Sequence, residues 1–375
     1  MAPANFITLN AFQRNISAWD AKLYDDFALT NNMDFDLPCN LTYTNPTGGR
    51  GRGSLTSIAF GQLCGRMGIP ASWAGNDKLC PAPLRKYVIN WKFKHTQARK
   101  LMVRQRKQGR KKIVRALLST RYRPYDHLQF VDALIAALNQ LGAKVDVFRP
   151  EIGDVLRAFL IVKNFKFRPE NRWEQISSGI LQDENGSNER RGLLPIWDGG
   201  EPGGLKPAIY ISNSEVGTGA VRVTAGLFRS YCSNGLILGW QAKYTLAIPH
   251  LHVKANMIVG KIKKAIPQAL NISEEAAIQF LKSQSIRIDP SSLTSLVNRW
   301  LTQYDVEVNE RKNWLRHLDE EVQKNDGQVS WFDVINSASR WAGQLKNREQ
   351  CETMERMAGA MISARVPQNA LVEAG

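Results

Sequence analysis

The chain has 375 residues, of which 43% are hydrophobic and 22% charged, and its formal net charge is +16; this composition is ordinary for a soluble globular protein of one or two domains. No apolar run approaches the roughly 18 to 20 residues that a membrane span needs, and the N-terminus lacks the pattern of a secretory signal. The five cysteines are scattered and include no Cys-x-x-Cys pair, which excludes a disulfide framework or zinc ribbon and indicates reduced thiols.

Residues 1–53 are predicted to form an N-terminal arm and loop. Ser17 to Thr30 has the apolar spacing of a helix, with Ser17 as its N-cap. Residues 45–53 contain four glycines and a proline and predict a loop. Arg50 and Arg52 in this loop are suited to lie along a phosphate backbone, although a plain turn is an equal alternative.

The predicted core, residues 54–250, begins with a helix over Ser54 to Gly68 that ends at a glycine C-cap. A short helix near Leu84 to Trp91 follows. Trp91 and Phe93 are spaced two apart, as inward positions of a strand would be.

The next feature is a basic segment that carries the whole charge excess of the chain. From Lys78 to Arg123 there are sixteen Lys and Arg and no Asp or Glu, and the other 34 Lys and Arg balance the 34 Asp and Glu of the chain. Such a run of like charges destabilises a compact state unless a polyanion or counterions screen it. Interleaved aromatic residues are typical of proteins that stack the bases of single strands. The alternative is a solvated basic face without a partner.

Within the basic segment, Lys100 to Arg104 and Lys112 to Leu118 are predicted to be two strands of a hairpin whose connection, residues 105–111, is a basic tip. A projecting basic tip is suited to contact a phosphate backbone. The predicted nucleic-acid interface comprises Arg99, Lys100, Arg104, Arg106, Lys107, Arg110, Lys111, Lys112, Arg115, Arg121, Tyr122 and Arg123, together with Arg50 and Arg52.

The remainder of the core is predicted to be one convincing helix followed by strands. Asp126 to Leu141 carries a continuous apolar stripe. Strand-like stretches follow at residues 143–148, 155–164, 165–168, 208–212 and 220–228, interrupted by a long loop at 169–205 with one short helix near 173–180. The predicted class is therefore α+β, with a small, mainly antiparallel sheet, packed helices and the basic hairpin.

Residues 251–366 are predicted to form an all-helical C-terminal domain, and residues 367–375 a flexible tail. Asp289-Pro290 places proline at the first position of one helix, and Ser330 with Asp333 resembles a capping box that starts another. The other predicted helices span residues 256–265, 273–283, 311–325 and 347–364.

One polar patch stands out among the strands, formed by Ser212, Asn213, Ser214 and Glu215 and followed by two glycines. Such a loop permits close approach of a ligand to the backbone. A tight turn between two strands is an equally good interpretation. No nucleotide-binding, zinc-protease or nucleophile-elbow motif occurs, so the sequence predicts no cofactor, no metal and no catalytic residue.

Four stretches resemble the DUF932 family of phage- and plasmid-encoded proteins. They are Lys206 to Ala220 continuing to Gly235, Phe60 to Pro70, Val114 to Pro124 and Trp331 to Asn336, and together they cover residues 54 to about 345 in order. The resemblance implies a mobile-element or viral origin and an α+β core, and it supplies no chemistry. With reduced cysteines and no signal peptide, we expect the protein in the cytoplasm of the bacterial host.

The leading hypothesis is a non-catalytic protein that binds nucleic acid, with DNA and single strands favoured, and acts in recombination or annealing. Proteins that anneal strands work as oligomers, and by this analogy we expect a homo-oligomer. We expect no contact with a membrane. One alternative is a metal-dependent nuclease that uses Glu215. Another is a virion or host-interaction protein whose basic face docks an acidic protein.

Overall fold

The computed structural model describes residues 6–163, 197–198, 201–202, 205–229, 234–237, 245–250, 255–324 and 328–372. The predicted strand at 165–168, the helix near 173–180 and most of the loop at 169–205 lie outside these residues. The α+β class and the mostly helical C-terminal region are confirmed. The strands, however, form two large sheets instead of one small one.

The first part of the chain alternates strands and short helices. The strands are β1 (Phe6–Thr8), β2 (Leu23–Leu29), β3 (Met33–Asp36), β4 (Asn40–Thr44), β5 (Arg50–Leu55), β6 (Lys100–Gln108), β7 (Lys111–Ser119), β8 (Val145–Glu151) and β9 (Val155–Val162). The helices are α1 (Leu9–Asp20), α2 (Ser57–Arg66), α3 (Ala71–Ala74), α4 (Ala82–His95) and α5 (His127–Gln140).

The second part begins with strands and continues mainly as helices. The strands are β10 (Trp197–Asp198), β11 (Glu201–Pro202), β12 (Leu205–Ser214), β13 (Val221–Arg229), β14 (Asn234–Ile237), β15 (Thr245–Ile248), β16 (Arg287–Ile288) and β17 (Val329–Ser330). The helices are α6 (Ala255–Lys282), α7 (Pro290–Gln303), α8 (Val308–Lys324), α9 (Trp331–Ala342) and α10 (Arg348–Ile362).

A seven-stranded sheet has the order β1-β8-β9-β12-β13-β14, with β15 also paired to β13. All its pairs are antiparallel. Successive side chains of a strand point to opposite faces. Leu160 and Ile211 are buried on one face, and Phe159 and Tyr210 are buried on the other, so the sheet is covered on both sides.

The C-terminal helices share a continuous apolar core with this sheet. Ile211 of β12 belongs to the same buried cluster as Leu134 of α5, Trp314 of α8, Ile335 of α9 and Met357 of α10. The helices of residues 255–362 therefore bury their apolar sides against the strands as well as against one another.

The second sheet has six strands in the order β2-β6-β7-β5-β4-β3, and only β5 and β7 are parallel. Its two edge strands, β2 and β3, are joined by the three residues Thr30–Asn32. Six flat strands would hold these edges about 24 Å apart, whereas the connection reaches about 14 Å at most. The sheet must therefore curl, and the Tyr43 hydroxyl of β4 donates to Asp26 of β2 across the gap at 3.1 Å.

Helix α4 covers the free edge of this curled sheet. The Phe35 N–H of β3 donates to Oδ1 of Asn90 at 2.7 Å, and Nδ2 of Asn90 donates back to the Phe35 carbonyl at 2.9 Å. The Asn90 side chain thus replaces a neighbouring strand. Phe93, one turn further along, is buried with the apolar inner face of the sheet.

The predicted helix over Ser17 to Thr30 is wrong. The helix is α1, capped by the Thr8 hydroxyl, and it ends at Asp20. Residues 23–29 instead form β2, which pairs with β6 along its whole length. The spacing of Leu23 and Phe27 fits a strand and a helix equally, and the backbone pairing with β6 decided between them.

Two other local predictions need correction. Arg50 to Gly53 belong to β5 instead of a loop, and Gly51 is required because a Cβ there would lie 2.1 Å from Cζ of Tyr43. Trp91 and Phe93 lie on helix α4 instead of a strand. In each case the local composition fits both structures, and contacts with distant residues select one.

The predicted helices at 256–265 and 273–283 are a single helix, α6, with Pro267 inside it. The buried residues Ile262, Ile266 and Leu270 continue on both sides of the proline, and this packing favours a continuous helix. The tail is packed up to Val372, because Ala370 is buried and its carbonyl accepts from the Asp289 N–H at 3.1 Å.

Several predicted elements are confirmed. Helix α5 begins at a capping box on Asp126, and α7 is capped by Asp289 with proline at its first position. Ser330 and Asp333 form the predicted capping box of α9. The hairpin and the strands near 145–162 and 205–229 also form. The helix predicted over Ser54 to Gly68 is α2, which begins at Ser57 and ends at Arg66, whereas Ser54 and Leu55 complete β5.

Candidate nucleic-acid interface

The basic hairpin forms, and its strands extend further than the sequence predicted. Lys107 pairs with Lys112 and Gln108 with Lys111, so only Gly109 and Arg110 form the loop. Gly109 has φ +59°, which glycine adopts without strain. Lys107, Arg110, Lys111 and Lys112 are exposed, and their positions are set by paired backbone instead of a flexible loop.

Cations from neighbouring strands surround this tip. Strand β5 runs parallel beside β7, with Ser54 opposite Ile113, so Arg50 and Arg52 extend toward the same end of the sheet. On the other side, the Lys107 N–H donates to the Lys22 carbonyl at 2.9 Å. We call the eight cations at this end the basic end: Lys22, Arg50, Arg52, Arg106, Lys107, Arg110, Lys111 and Lys112.

Within the part of the chain that the structure describes, no ion pair joins a member of the basic end to an acidic side chain. Two aromatic rings contact these cations, and Cζ of Arg106 lies 4.5 Å from the centre of the Trp19 ring. Nζ of Lys107 and Nζ of Lys112 lie 5.8 and 5.9 Å from the centre of the Tyr24 ring. Sequence reasoning missed Lys22 and Tyr24 because both precede the acid-free segment, and only the pairing of β2 with β6 brings them here.

Four further predicted residues lie at the opposite end of the same sheet. Arg99 precedes β6, Lys100 begins it, and Arg121 and Arg123 follow β7; all four are exposed. Strand β7 runs from Lys111 to Ser119, which at about 3.3 Å per residue separates the two ends by roughly 26 Å. The predicted interface is therefore divided into two basic regions.

Arg104 and Arg115 do not reach the surface, since each side chain is 1% exposed. Nε and Nη2 of Arg104 pair with Asp25 at 2.9 Å and Asp126 at 2.6 Å. A bulge in β7 leaves Arg115 without a partner residue on β6, and its Nε instead pairs with Asp154 at 2.6 Å. Buried charges need such partners, so we leave both arginines out of the proposed interface.

The predicted ligand loop is also internal, because Ser212, Asn213, Ser214 and Glu215 are all buried. Oε2 of Glu215 accepts from Nη2 of Arg115 at 2.6 Å and from Nε1 of Trp19 at 3.3 Å, and Oε1 accepts from the His127 N–H at 2.8 Å. Burial opposes ionisation of this carboxyl, but His127 and Arg115 outweigh burial and lower its pKa. Both oxygens on which a nuclease would depend are engaged.

The neighbouring Asn213 organises two histidines. Its Nδ2 donates to the Tyr125 carbonyl at 2.9 Å and lies 3.0 Å from Nδ1 of His127, while its Oδ1 lies 2.9 Å from Nε2 of His250. Burial lowers the pKa of both imidazoles, which keeps them neutral at pH 7. Tyr122, predicted to contact nucleic acid, is buried and stacks on His250 with ring centres 5.1 Å apart.

These groups join the turn between β12 and β13 to the outer face of the curled sheet. We call the five central residues the junction: Arg104, Arg115, His127, Asn213 and Glu215. The turn is held close to β7, because a Cβ on Gly217, whose φ is +74°, would lie 2.8 Å from Leu118. The junction is thus a contact between the two sheets, at the patch that the sequence presented equally as a ligand loop or as a tight turn.

Where the chain is described, no group of three or more His, Cys, Asp and Glu side chains is arranged to hold a metal ion. No helix in the described ranges is long and apolar enough to cross a membrane. Cys39, Cys64, Cys80 and Cys351 are free thiols, and Cys232 lies outside the described residues.

Comparison with known families matches residues 199–356 to a family model described as a domain of unknown function, DUF932. The range contains β12, β13 and the C-terminal helices, and so the turn that enters the junction. It confirms the resemblance carried by the stretches from Lys206 and from Trp331, whereas Phe60 to Pro70, Val114 to Pro124 and the whole basic end precede it. No curated protein and no solved structure matches the chain.

Proposed function

We propose that this protein binds single-stranded DNA through the basic end and acts in recombination or annealing for a phage or other mobile element. The observation that carries the proposal is the concentration of eight cations, unpaired within the described residues, at one end of the curled sheet. The DUF932 domain supplies no activity, and the proposal rests on the charge layout.

Rigid placement of these cations favours a polyanion as ligand. Lysine and arginine side chains that lie close together repel one another, and phosphates relieve the repulsion while releasing counterions. The paired strands hold the cations before binding, so little ordering of the backbone is required. We further propose that the protein acts as a homo-oligomer in the cytoplasm of the bacterial host, since annealing brings two strands together.

The test is a fluorescence anisotropy titration of single-stranded DNA at two salt concentrations. In the hairpin variant, Lys107, Arg110, Lys111 and Lys112 are replaced by Ala. We expect weaker binding and a salt dependence whose slope falls by roughly 0.7 for each phosphate that the variant no longer neutralises, or by up to about 3 for four phosphates.

A matched control removes the same number of charges elsewhere. Lys261, Lys264, Lys312 and Lys346 are exposed and lie outside the curled sheet, and their replacement by Ala should leave affinity and slope near the wild-type values. Equal behaviour of the two quadruple variants would contradict the basic end as the binding surface. Duplex DNA, RNA and an assay of strand annealing with sizing of the complexes test the ligand and the reaction.

A further inference from the structure

Helix α4 presents an exposed aromatic face within the acid-free segment. Leu84, Tyr87 and Trp91 are spaced three and four residues apart and therefore lie on one side of the helix, where they are 43%, 66% and 44% exposed. Ile89 and Phe93, on the opposite side, are buried. The helix is anchored by that buried side. Packing among the described residues therefore does not explain why aromatic rings occupy the exposed side.

The Trp91 ring is held in a defined orientation. It stacks on His95, one turn later, with ring centres 4.5 Å apart and planes 11° apart. Nδ1 of His95 lies 2.9 Å from the Trp91 carbonyl, which fixes the imidazole. The two rings form a flat, partly exposed stack that a third flat ring can extend.

The charges on α4 are all positive, since its sequence contains two Arg or Lys in each half and no Asp or Glu. Arg85 pairs with Asp77, and Lys86 pairs with Asp36 at 2.9 Å. In the second half, Lys92 and Lys94 form no ion pair with any described residue. The unpaired positive charge is therefore concentrated beside the Trp91 and His95 stack.

We propose that this aromatic face of α4, formed by Tyr87, Trp91 and His95, stacks the unpaired bases of the strand whose phosphates lie on the basic end. The inference rests on the proposed function and adds base contacts to it. A single strand supplies both flat rings and negative charge, which match the exposed aromatic side chains and the cations beside them. A duplex does not offer its base faces, because they are stacked on each other.

The two surfaces are close enough for one short strand. Residues 96–99 connect α4 to β6, and the nine residues of β6 lead to the basic end, so the chain path between the two surfaces is at most about 45 Å. At 3.4 Å or more per phosphate, about 13 nucleotides or fewer span it. Arg99 and Lys100, two of the cations at the opposite end of the curled sheet, lie where β6 begins.

The experiment compares two strands of about 20 nucleotides, longer than most single-strand binding sites. One is oligothymidylate, and the other is a sugar-phosphate chain of the same length without bases. Anisotropy titrations use the wild type, the double variant Tyr87→Ala/Trp91→Ala and the ring-conserving variant Tyr87→Phe/Trp91→Phe. The melting temperature of each variant is measured as a check on folding, and it should change little because both side chains are exposed.

We expect the wild type and the Phe variant to bind oligothymidylate more tightly than the abasic chain. The Ala variant should lose roughly tenfold or more in affinity for oligothymidylate, and its affinity for the abasic chain should not change. The hairpin variant should bind both strands more weakly and keep its preference for bases.

Three results would overturn the inference. Equal binding of both strands by the wild type would show that bases are not contacted, and the basic end would then stand alone. An Ala variant that keeps the preference for bases would show that other rings stack them. If the DNA-free Ala variant differs from the wild type in oligomeric mass but keeps the preference for bases, the aromatic face serves self-association. A wild type that binds neither strand contradicts the proposed function as well.

Discussion

Arg104 and Arg115 differ sharply from the other cations of the basic segment. Each guanidinium is buried and paired with carboxylates of the chain, whereas Lys107 and Arg110 are exposed and unpaired. Coulombic attraction from Asp126 and Asp25 outweighs the burial of Arg104 and raises its pKa. A residue's place in a run of charges therefore does not determine its role; the number of carboxylates within reach does.

The variant Glu215→Ala tests whether the buried ion pair between Arg115 and Glu215 stabilises the fold. Removing this fully buried carboxylate leaves Arg115 without a buried partner, and loss of one member of a buried ion pair typically costs about 3–5 kcal/mol. We expect urea unfolding to give a free energy of unfolding lower by about that amount. The exposed Glu320→Ala should change it by about 0.5 kcal/mol or less, and a similarly small effect at Glu215 would argue against a structural junction.

The curled sheet shows how elements protect one another. Strand β3 is an edge, and unpaired edges invite association with other chains. Asn90 of α4 occupies that edge by bonding both backbone groups of Phe35. The same helix displays the aromatic face on its other side, so one element both closes the sheet and carries the face that we propose for stacking bases.

Asn90→Ala is expected to open this edge. Loss of two hydrogen bonds to a half-buried backbone should lower the free energy of unfolding by about 1–3 kcal/mol. Hydrogen exchange should show faster exchange of the Phe35 amide, with little change at Val103 in the sheet interior. Asn32→Ala, at an exposed position of the neighbouring turn, is the control. Unchanged protection at Phe35 would mean that another group satisfies this edge.

At the scale of the whole molecule, the curled sheet carries the basic end and the seven-stranded sheet carries the helical core. The turn between β12 and β13 joins the two sheets. Its Glu215 carboxylate accepts from Arg115 of β7 and from the backbone N–H of His127 in the first turn of α5. This contact links the DUF932 domain to residues that precede it.

His127 of the junction and His250, which lies beside Asn213, predict a loss of stability in mild acid. Burial lowers the pKa of His127 and His250 below 6.5, so the unfolded chain binds more protons than the folded chain below that pH. The stability that the neutral imidazoles supply is complete above about pH 7 and decreases as the pH falls through 6.5, by up to about 1.4 kcal/mol per pH unit for each group.

Urea unfolding at pH 7.5 and 5.5 measures this loss. His127→Gln and His250→Gln each remove one titrating group and retain an amide N–H that can donate, so each variant should lose less stability over this interval than the wild type. The pKa of Glu215 is shifted chiefly by burial, His127 and Arg115, so His127→Gln changes this carboxyl as well, and the difference between the wild type and His250→Gln isolates an imidazole more directly. A wild type and variants with parallel pH profiles would mean that these histidines do not titrate on unfolding.

The sequence by itself determined the local elements whose signals are local: the capped helices at Asp126, Asp289 and Ser330, the basic hairpin, and the concentration of charge between Lys78 and Arg123. These follow from side-chain spacing, caps and turn chemistry within a few residues. Only the tertiary structure decided which cations are free. Arg115 and Glu215 are a hundred residues apart in sequence, and no local pattern records that one neutralises the other. The curl of the six-stranded sheet likewise depends on long-range pairing, and that pairing brought Lys22 and Tyr24 to the basic end. The contact between the two sheets buried the predicted ligand loop.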